Sequence, residues 1–159
     1  MRRRIAVFGG SIFEEVRFEN NTFNILNNKT VSDLKNKYDI DNYSCKGLNS
    51  DRVLRLVKNI NVNELYSTCI IALGENEVND RLFELNLSQI IGHLLVNNVR
   101  PILVSLPLSF DDKLNLQDVI DRLSVDMNVD YIYNGFTDKQ VSYIVKDKKD
   151  MKKAILELC

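Results

Sequence analysis

One histidine, His93, stands in 159 residues, and the three cysteines, Cys45, Cys69 and Cys159, are scattered singly. An odd cysteine count without paired spacing argues against a disulfide framework or a zinc knuckle. Cys69 lies in the apolar run Cys69-Ile70-Ile71-Ala72-Leu73 and reads as a small core residue. This usage points to a reducing, cytoplasmic setting, and no metal or other cofactor is expected. Charge of one sign is also missing. Lysine and arginine number 21 against 22 acids, a net charge of −1, which gives no electrostatic reason to expect a nucleic acid or an anionic membrane as partner. No stretch approaches the ~20 apolar residues of a membrane span. Arg2-Arg3-Arg4 precedes the short apolar run Ile5-Ala6-Val7-Phe8, whereas a signal-peptide core needs roughly 7–15 residues. Internal repeats, Pro/Gly/Ser linkers and long single-sign charge runs are absent too, so residues 1–159 read as a single domain. Nothing in the sequence fixes an oligomeric state.

What is present is the balance of a soluble globular protein, 45% apolar and 27% charged. Five short apolar runs are bounded by turn residues: Ile5–Phe8 before Gly9-Gly10, Tyr43–Cys45 before Lys46-Gly47, Cys69–Leu73 before Gly74, Pro101–Leu106 before Pro107, and Tyr131–Tyr133 before Asn134-Gly135. Runs of this kind predict strands buried on both faces. Between them lie helical periods: Val53, Leu56, Val57 and Ile60; then Phe83, Leu87, Ile90, Ile91, Leu94 and Leu95; then Leu116, Val119, Ile120 and Leu123. A further amphipathic helix is predicted from Met151, Ala154, Ile155 and Leu158. Strands alternating with helices imply crossover units and a mainly parallel five-stranded sheet, a three-layer α/β/α domain. Glu14 to Asn28 carries no legible period.

In an open parallel sheet, ligands collect beyond the carboxyl ends of the strands. The turns there hold Gly9, Gly10 and Ser11; Gly47; Gly74, Glu75 and Asn76; and Ser105. A serine just after a strand presents its hydroxyl and its own N–H over the sheet edge. A nearby glycine lets an acyl group approach the backbone closely. A carboxamide adds a third donor. Three such donors converging on one point make an oxyanion hole, and losing one costs about 10²–10³ in rate. Val7-Phe8-Gly9-Gly10-Ser11-Ile12 resembles the Gly-Asp-Ser block of the SGNH (GDSL-type) hydrolases, with Gly10 where aspartate usually stands. Cys45-Lys46-Gly47-Leu48-Asn49-Ser50 resembles the second block, and Ala72-Leu73-Gly74-Glu75-Asn76-Glu77 the third, Gly-x-Asn-Asp, with Glu77 for the final aspartate. The resemblance implies a flavodoxin-like fold and an esterase or acyl hydrolase acting on a small ester or acylated substrate. Ser11 would be the nucleophile, and the Ser11 N–H, the Gly47 N–H and the Asn76 side chain would form the oxyanion hole.

The family's last block, Asp-x-x-His before the final helix, supplies the base. Here the corresponding stretch is Tyr143-Ile144-Val145-Lys146, with Tyr143 for the aspartate and Lys146 for the histidine. His93 is no substitute. It falls with Asn86, Gln89 and Asn97 on a stripe read as solvated, and ~1.5 Å per residue along that helix puts it about 20 Å from Ser11. Lys146 has two readings, a partner base for Ser11 or a charge hydrated among Asp147, Lys148, Lys149 and Asp150. Each candidate also has a structural use: Ser11 as a helix N-cap, Gly47 as a turn glycine, Asn76 as a cap, Glu75 and Glu77 as solvated acids. Two functions follow, a weak or inactive hydrolase and a pseudoenzyme that binds a ligand or protein without turnover. A dinucleotide-binding Gly-x-Gly-x-x-Gly and a Walker lysine motif are absent.

Overall fold

The computed structural model describes residues 4–10, 13, 16–19, 22–25, 32, 35–36, 38–106 and 114–132. In chain order the elements are β1 (Arg4–Gly9), β2 (Val16–Glu19), β3 (Thr22–Ile25), β4 (Asp39–Asn42), α1 (Ser50–Asn59), α2 (Val62–Leu65), β5 (Thr68–Ala72), α3 (Asp80–Val96), β6 (Arg100–Val104), α4 (Leu114–Asp126) and β7 (Asp130–Ile132). Five of the strands form one parallel sheet in the order β4-β1-β5-β6-β7. After β1 the chain runs to β4 on one side. It then crosses over β1 to β5 and continues outward through α3, β6, α4 and β7.

The strands are apolar because both faces of the sheet are buried. Ala6, Phe8, Cys69, Ile71 and Leu103 point to one side, where they meet Val53, Leu54 and Val57 of α1, Phe83, Leu87, Ile90, Ile91 and Leu94 of α3, and Leu116, Val119, Ile120 and Leu123 of α4. Ile5, Val7, Ile70, Ile102, Val104 and Ile132 point to the other side and are just as deeply buried, packing with Phe13. The sheet is therefore the middle layer of a three-layer α/β domain.

The asparagines that carry no functional signal in the sequence turn out to start and stop helices. Asn49 caps α1 by accepting the Arg52 N–H, and Asn79 caps α3 by accepting the Leu82 N–H, both at 3.0 Å. Asn98 and Asn128 end α3 and α4 in the left-handed region, at φ 58° and 51°. After α3, the Val99 N–H reaches Leu94 O and the Asn98 N–H reaches Leu95 O. After α4, the Val129 N–H reaches Ser124 O and the Asn128 N–H reaches Val125 O. These are two Schellman closures, each turning straight into the next strand.

The structure corrects two sequence expectations and assigns strands in one segment that the sequence leaves open. The second sheet strand is Asp39–Asn42, not Tyr43–Cys45. An edge strand needs no continuous apolar run, so the criterion that works for buried strands selects the wrong residues here. The ladder continues past it irregularly, with the Tyr43 N–H on Val7 O and the Cys45 N–H on Gly9 O. Within Glu14–Asn28, β2 and β3 pair antiparallel, with Glu19 opposite Thr22. Two residues of the stripe read as solvated on α3 pack on α1: Asn86 is buried and His93 half-buried, while Gln89 is exposed. Tyr133, Tyr143, Lys146 and the helix predicted over Met151–Leu158 lie outside the described residues.

Candidate active site

The chain reverses its direction of travel across the sheet at β1, which makes the carboxyl ends of β1 and β5 the switch point where sheets of this kind hold their ligand crevice. The loops that follow β1, β4 and β5 meet there. The Cys45 N–H donates to Gly9 O at 3.2 Å, holding the post-β4 loop beside the end of β1. The Phe13 N–H reaches Gly10 O at 3.4 Å, and the Asn42 side chain donates to Phe13 O at 2.6 Å. Ser11 itself lies outside the described residues, as does Lys146.

Gly47 and Asn76 are brought together. The Leu48 N–H closes a turn onto Cys45 O, and within it Gly47 adopts φ +85°, which an L side chain rarely adopts. A Cβ at Gly47 would meet no atom within 4 Å, so the position borders open space. The Asn76 carboxamide donates to Leu48 O at 3.1 Å. That bond uses one of its two hydrogens. Gly74, at φ +126°, has a conformation that side chains rarely adopt, and the Leu106 side chain lies 3.0–3.2 Å from where its Cβ would be, so a side chain there would have to push Leu106 aside. The loop after β6 is thus packed against the loop that carries Asn76.

Glu77, expected as a solvated acid, is buried, and its carboxylate accepts the Ser50 N–H at the start of α1. A carboxylate at a helix amino terminus meets both an orphan donor and the positive end of the dipole. The Ser50 hydroxyl in turn accepts from the Asn86 carboxamide at 3.1 Å. Glu77, Ser50 and Asn86 therefore tie the Asn76 loop to both helices beneath it. The sequence gives one weak sign of this, an acid immediately after Asn76 in a loop that must pass the amino end of another helix.

His93 bonds through Nε2 to Val57 O in α1 at 3.0 Å, well along α3 from its amino end. At the far side of the crevice, Gln117 accepts the Leu106 N–H at 2.7 Å and donates to the Tyr131 hydroxyl, while Tyr131 donates to Asp121. Burial, reinforced by that Asp121 carboxylate, pushes the Tyr131 hydroxyl far above its ordinary pKa, so it stays a neutral donor. Among the described residues no group of three His, Cys, Asp or Glu side chains could hold a metal ion. No described helix is long and apolar enough to cross a membrane. An open cleft of about 310 Å³ lined by Asn98, Arg100, Asn128 and Asp130 lies at the amino ends of β6 and β7, the opposite edge of the sheet.

No family model matches the sequence, and no curated protein matches it either. Solved structures do match in fold. The esterase EstA from Pseudoalteromonas sp., in a structure inhibited by monoethylphosphonate, aligns at TM-score 0.66 and 16% identity over 82% of this chain and 76% of its own. AlinE4, an SGNH-hydrolase family esterase, aligns at 0.62 and 16% over 83% and 76%. A GDSL-like lipase from Bacteroides thetaiotaomicron aligns at 0.59 and 14% over 83% and 68%. The layers and strand order are those of the SGNH/GDSL hydrolase fold, and this chain is similar to these esterases and lipases in architecture, at identities that speak for the fold alone.

Proposed function

We propose that this chain is an SGNH-type ester or acyl hydrolase of low turnover, working without a histidine. In this reading Ser11 is the nucleophile. Its Oγ bonds to the carbonyl carbon of a small ester or acylated substrate, and the N–H groups of Ser11 and Gly47 and the Asn76 carboxamide hold the oxyanion. Collapse breaks the bond to the leaving alcohol, which departs with the serine's proton. Water then releases the acid from the acyl-enzyme and restores the hydroxyl. Lys146 occupies the position of the missing base. An ordinary lysine, with a pKa near 10.4, holds its proton at neutral pH, which is why turnover is low. The observation that carries the proposal is the bond from the Asn76 carboxamide to Leu48 O, beside Gly47 at the switch point of the sheet. It leaves one carboxamide hydrogen for a ligand.

The test is hydrolysis of short p-nitrophenyl esters with mass-spectrometric detection of a phosphonate adduct on Ser11. Both are expected for the wild type and neither for Ser11→Ala; ester hydrolysis that survives Ser11→Ala would refute the proposal. The second reading, a pocket that binds an acyl ligand or a protein partner without turnover, is favoured by the engagement of the sole histidine with Val57 O. An inert wild type that gains esterase activity in Tyr143→Asp/Lys146→His supports that reading. An active wild type that Lys146→Ala silences removes it.

A further inference from the structure

Gly10 is buried, and the volume that its missing side chain leaves is taken up from another loop. A Cβ built on Gly10 would coincide with a carboxylate oxygen of Glu75 and crowd the rest of that carboxyl group. Gly10 immediately precedes Ser11, and Glu75 immediately precedes Asn76. The contact therefore joins the loop of the proposed nucleophile to the loop of the proposed carboxamide donor, across the β1–β5 switch point. An apolar residue would serve as a filler. A half-buried carboxylate is costly unless it accepts hydrogen bonds, so an acid in this space calls for a role that a filler does not. We infer that Glu75 is a positioning residue of this site, its carboxylate delivered from the β5–α3 loop into the side-chain space of position 10 to hold the Ser11 loop in register with Asn76. The inference rests on the reading of Ser11 as nucleophile and adds a residue to it. It also accounts for the glycine: with the Glu75 carboxyl in this place, position 10 has no space for a side chain.

Three variants change the same contact. Glu75→Ala deletes the carboxyl, Glu75→Gln keeps its shape without its charge, and Gly10→Ala expels it, a change the fold tolerates because the displaced group is the free end of a long side chain. The rate of Ser11 modification by a fluorophosphonate and the kcat for p-nitrophenyl acetate should fall in all three, on the order of 10²-fold for a misplaced reacting group, with KM little changed. Gly10→Ala/Glu75→Ala should be no slower than either single variant. Gly10→Asp/Glu75→Ala should recover most of the rate, and Gly10→Asn/Glu75→Ala should not. Wild-type rates in Glu75→Gln, or single-variant losses that multiply in the double, would overturn the inference. Melting temperatures of the same set decide the contact independently. Gly10→Ala should lower Tm more with Glu75 present than with Ala at 75, and equal losses would show that the residues do not touch. A wild type that neither takes up phosphonate nor hydrolyses ester defeats the hydrolase reading instead, and the melting cycle alone then upholds or overturns the loop contact.

Discussion

Gly47 and Gly74 both sit in backbone conformations closed to most side chains, yet they differ in what surrounds them. Gly47 faces open space, so Gly47→Ala incurs only backbone strain, about 1–2 kcal/mol. Gly74→Ala adds a collision with Leu106 and should cost more; urea denaturation of the two variants is expected to rank them in that order. Glu77 is a second residue whose role is local. Glu77→Ala strands the Ser50 N–H, and leaving a buried donor without an acceptor costs about 1–3 kcal/mol. Glu77→Gln retains an oxygen acceptor and is expected to lose less. Equal losses in the two variants would mean that the charge, not the hydrogen bond, matters.

Asparagine starts α1 and α3 and ends α3 and α4. At Asn98 the left-handed φ and the paired Schellman bonds allow α3 to stop at Val96 and β6 to begin at Arg100. Replacing Asn98 by valine forces a β-branched side chain into that conformation. The expected loss is at least the ~1–2 kcal/mol of left-handed backbone strain, measured by chemical denaturation. Asn98→Gly should be neutral or stabilising. The polar stripe of α3 also has a defined task. Asn86 and His93 are the hydrogen-bonding seam by which α3 grips α1, through the Ser50 hydroxyl and Val57 O. A stripe that looks solvated by period alone is therefore an interhelical contact, because α1 crosses it.

At the scale of the molecule, burial of neutral acids makes the fold sensitive to alkali. Burial pushes the Cys69 thiol up to about 12. Tyr66, buried and donating to Asp41 at 2.6 Å, and Tyr131 are both raised well beyond an ordinary phenol, with burial as the largest cause. The folded state holds these protons more tightly than the unfolded chain. The stability this contributes is complete below the unfolded pKa values, near 8.5 for thiol and 10 for phenol, and is lost as pH rises above them. Tm should accordingly fall between about pH 9 and pH 12, and the phenolate absorbance of Tyr66 and Tyr131 should appear together with unfolding rather than before it. Phenylalanine at both tyrosine positions should flatten that decline. A phenolate signal that rises while the protein remains folded would show the hydroxyls to be more accessible than the structure has them.

Four of the five sheet strands and the three long described helices were readable from local pattern. Strands buried on both faces must be apolar throughout, and helices packed on one side must repeat every three to four residues. Gly47 and Asn76 were legible as candidates because glycine and asparagine at strand ends have few uses. What had no local signal was set by neighbours distant in sequence. The polar edge strand Asp39–Asn42 exists because β1 offers it a ladder, and Glu77 is buried because the start of α1 lies above it. The Glu75 carboxylate fills the space at Gly10 because two loops 65 residues apart in the chain end at one crevice. Periodicity records which side of an element faces apolar surroundings; it carries no record of which element supplies them, and only the tertiary structure decided that.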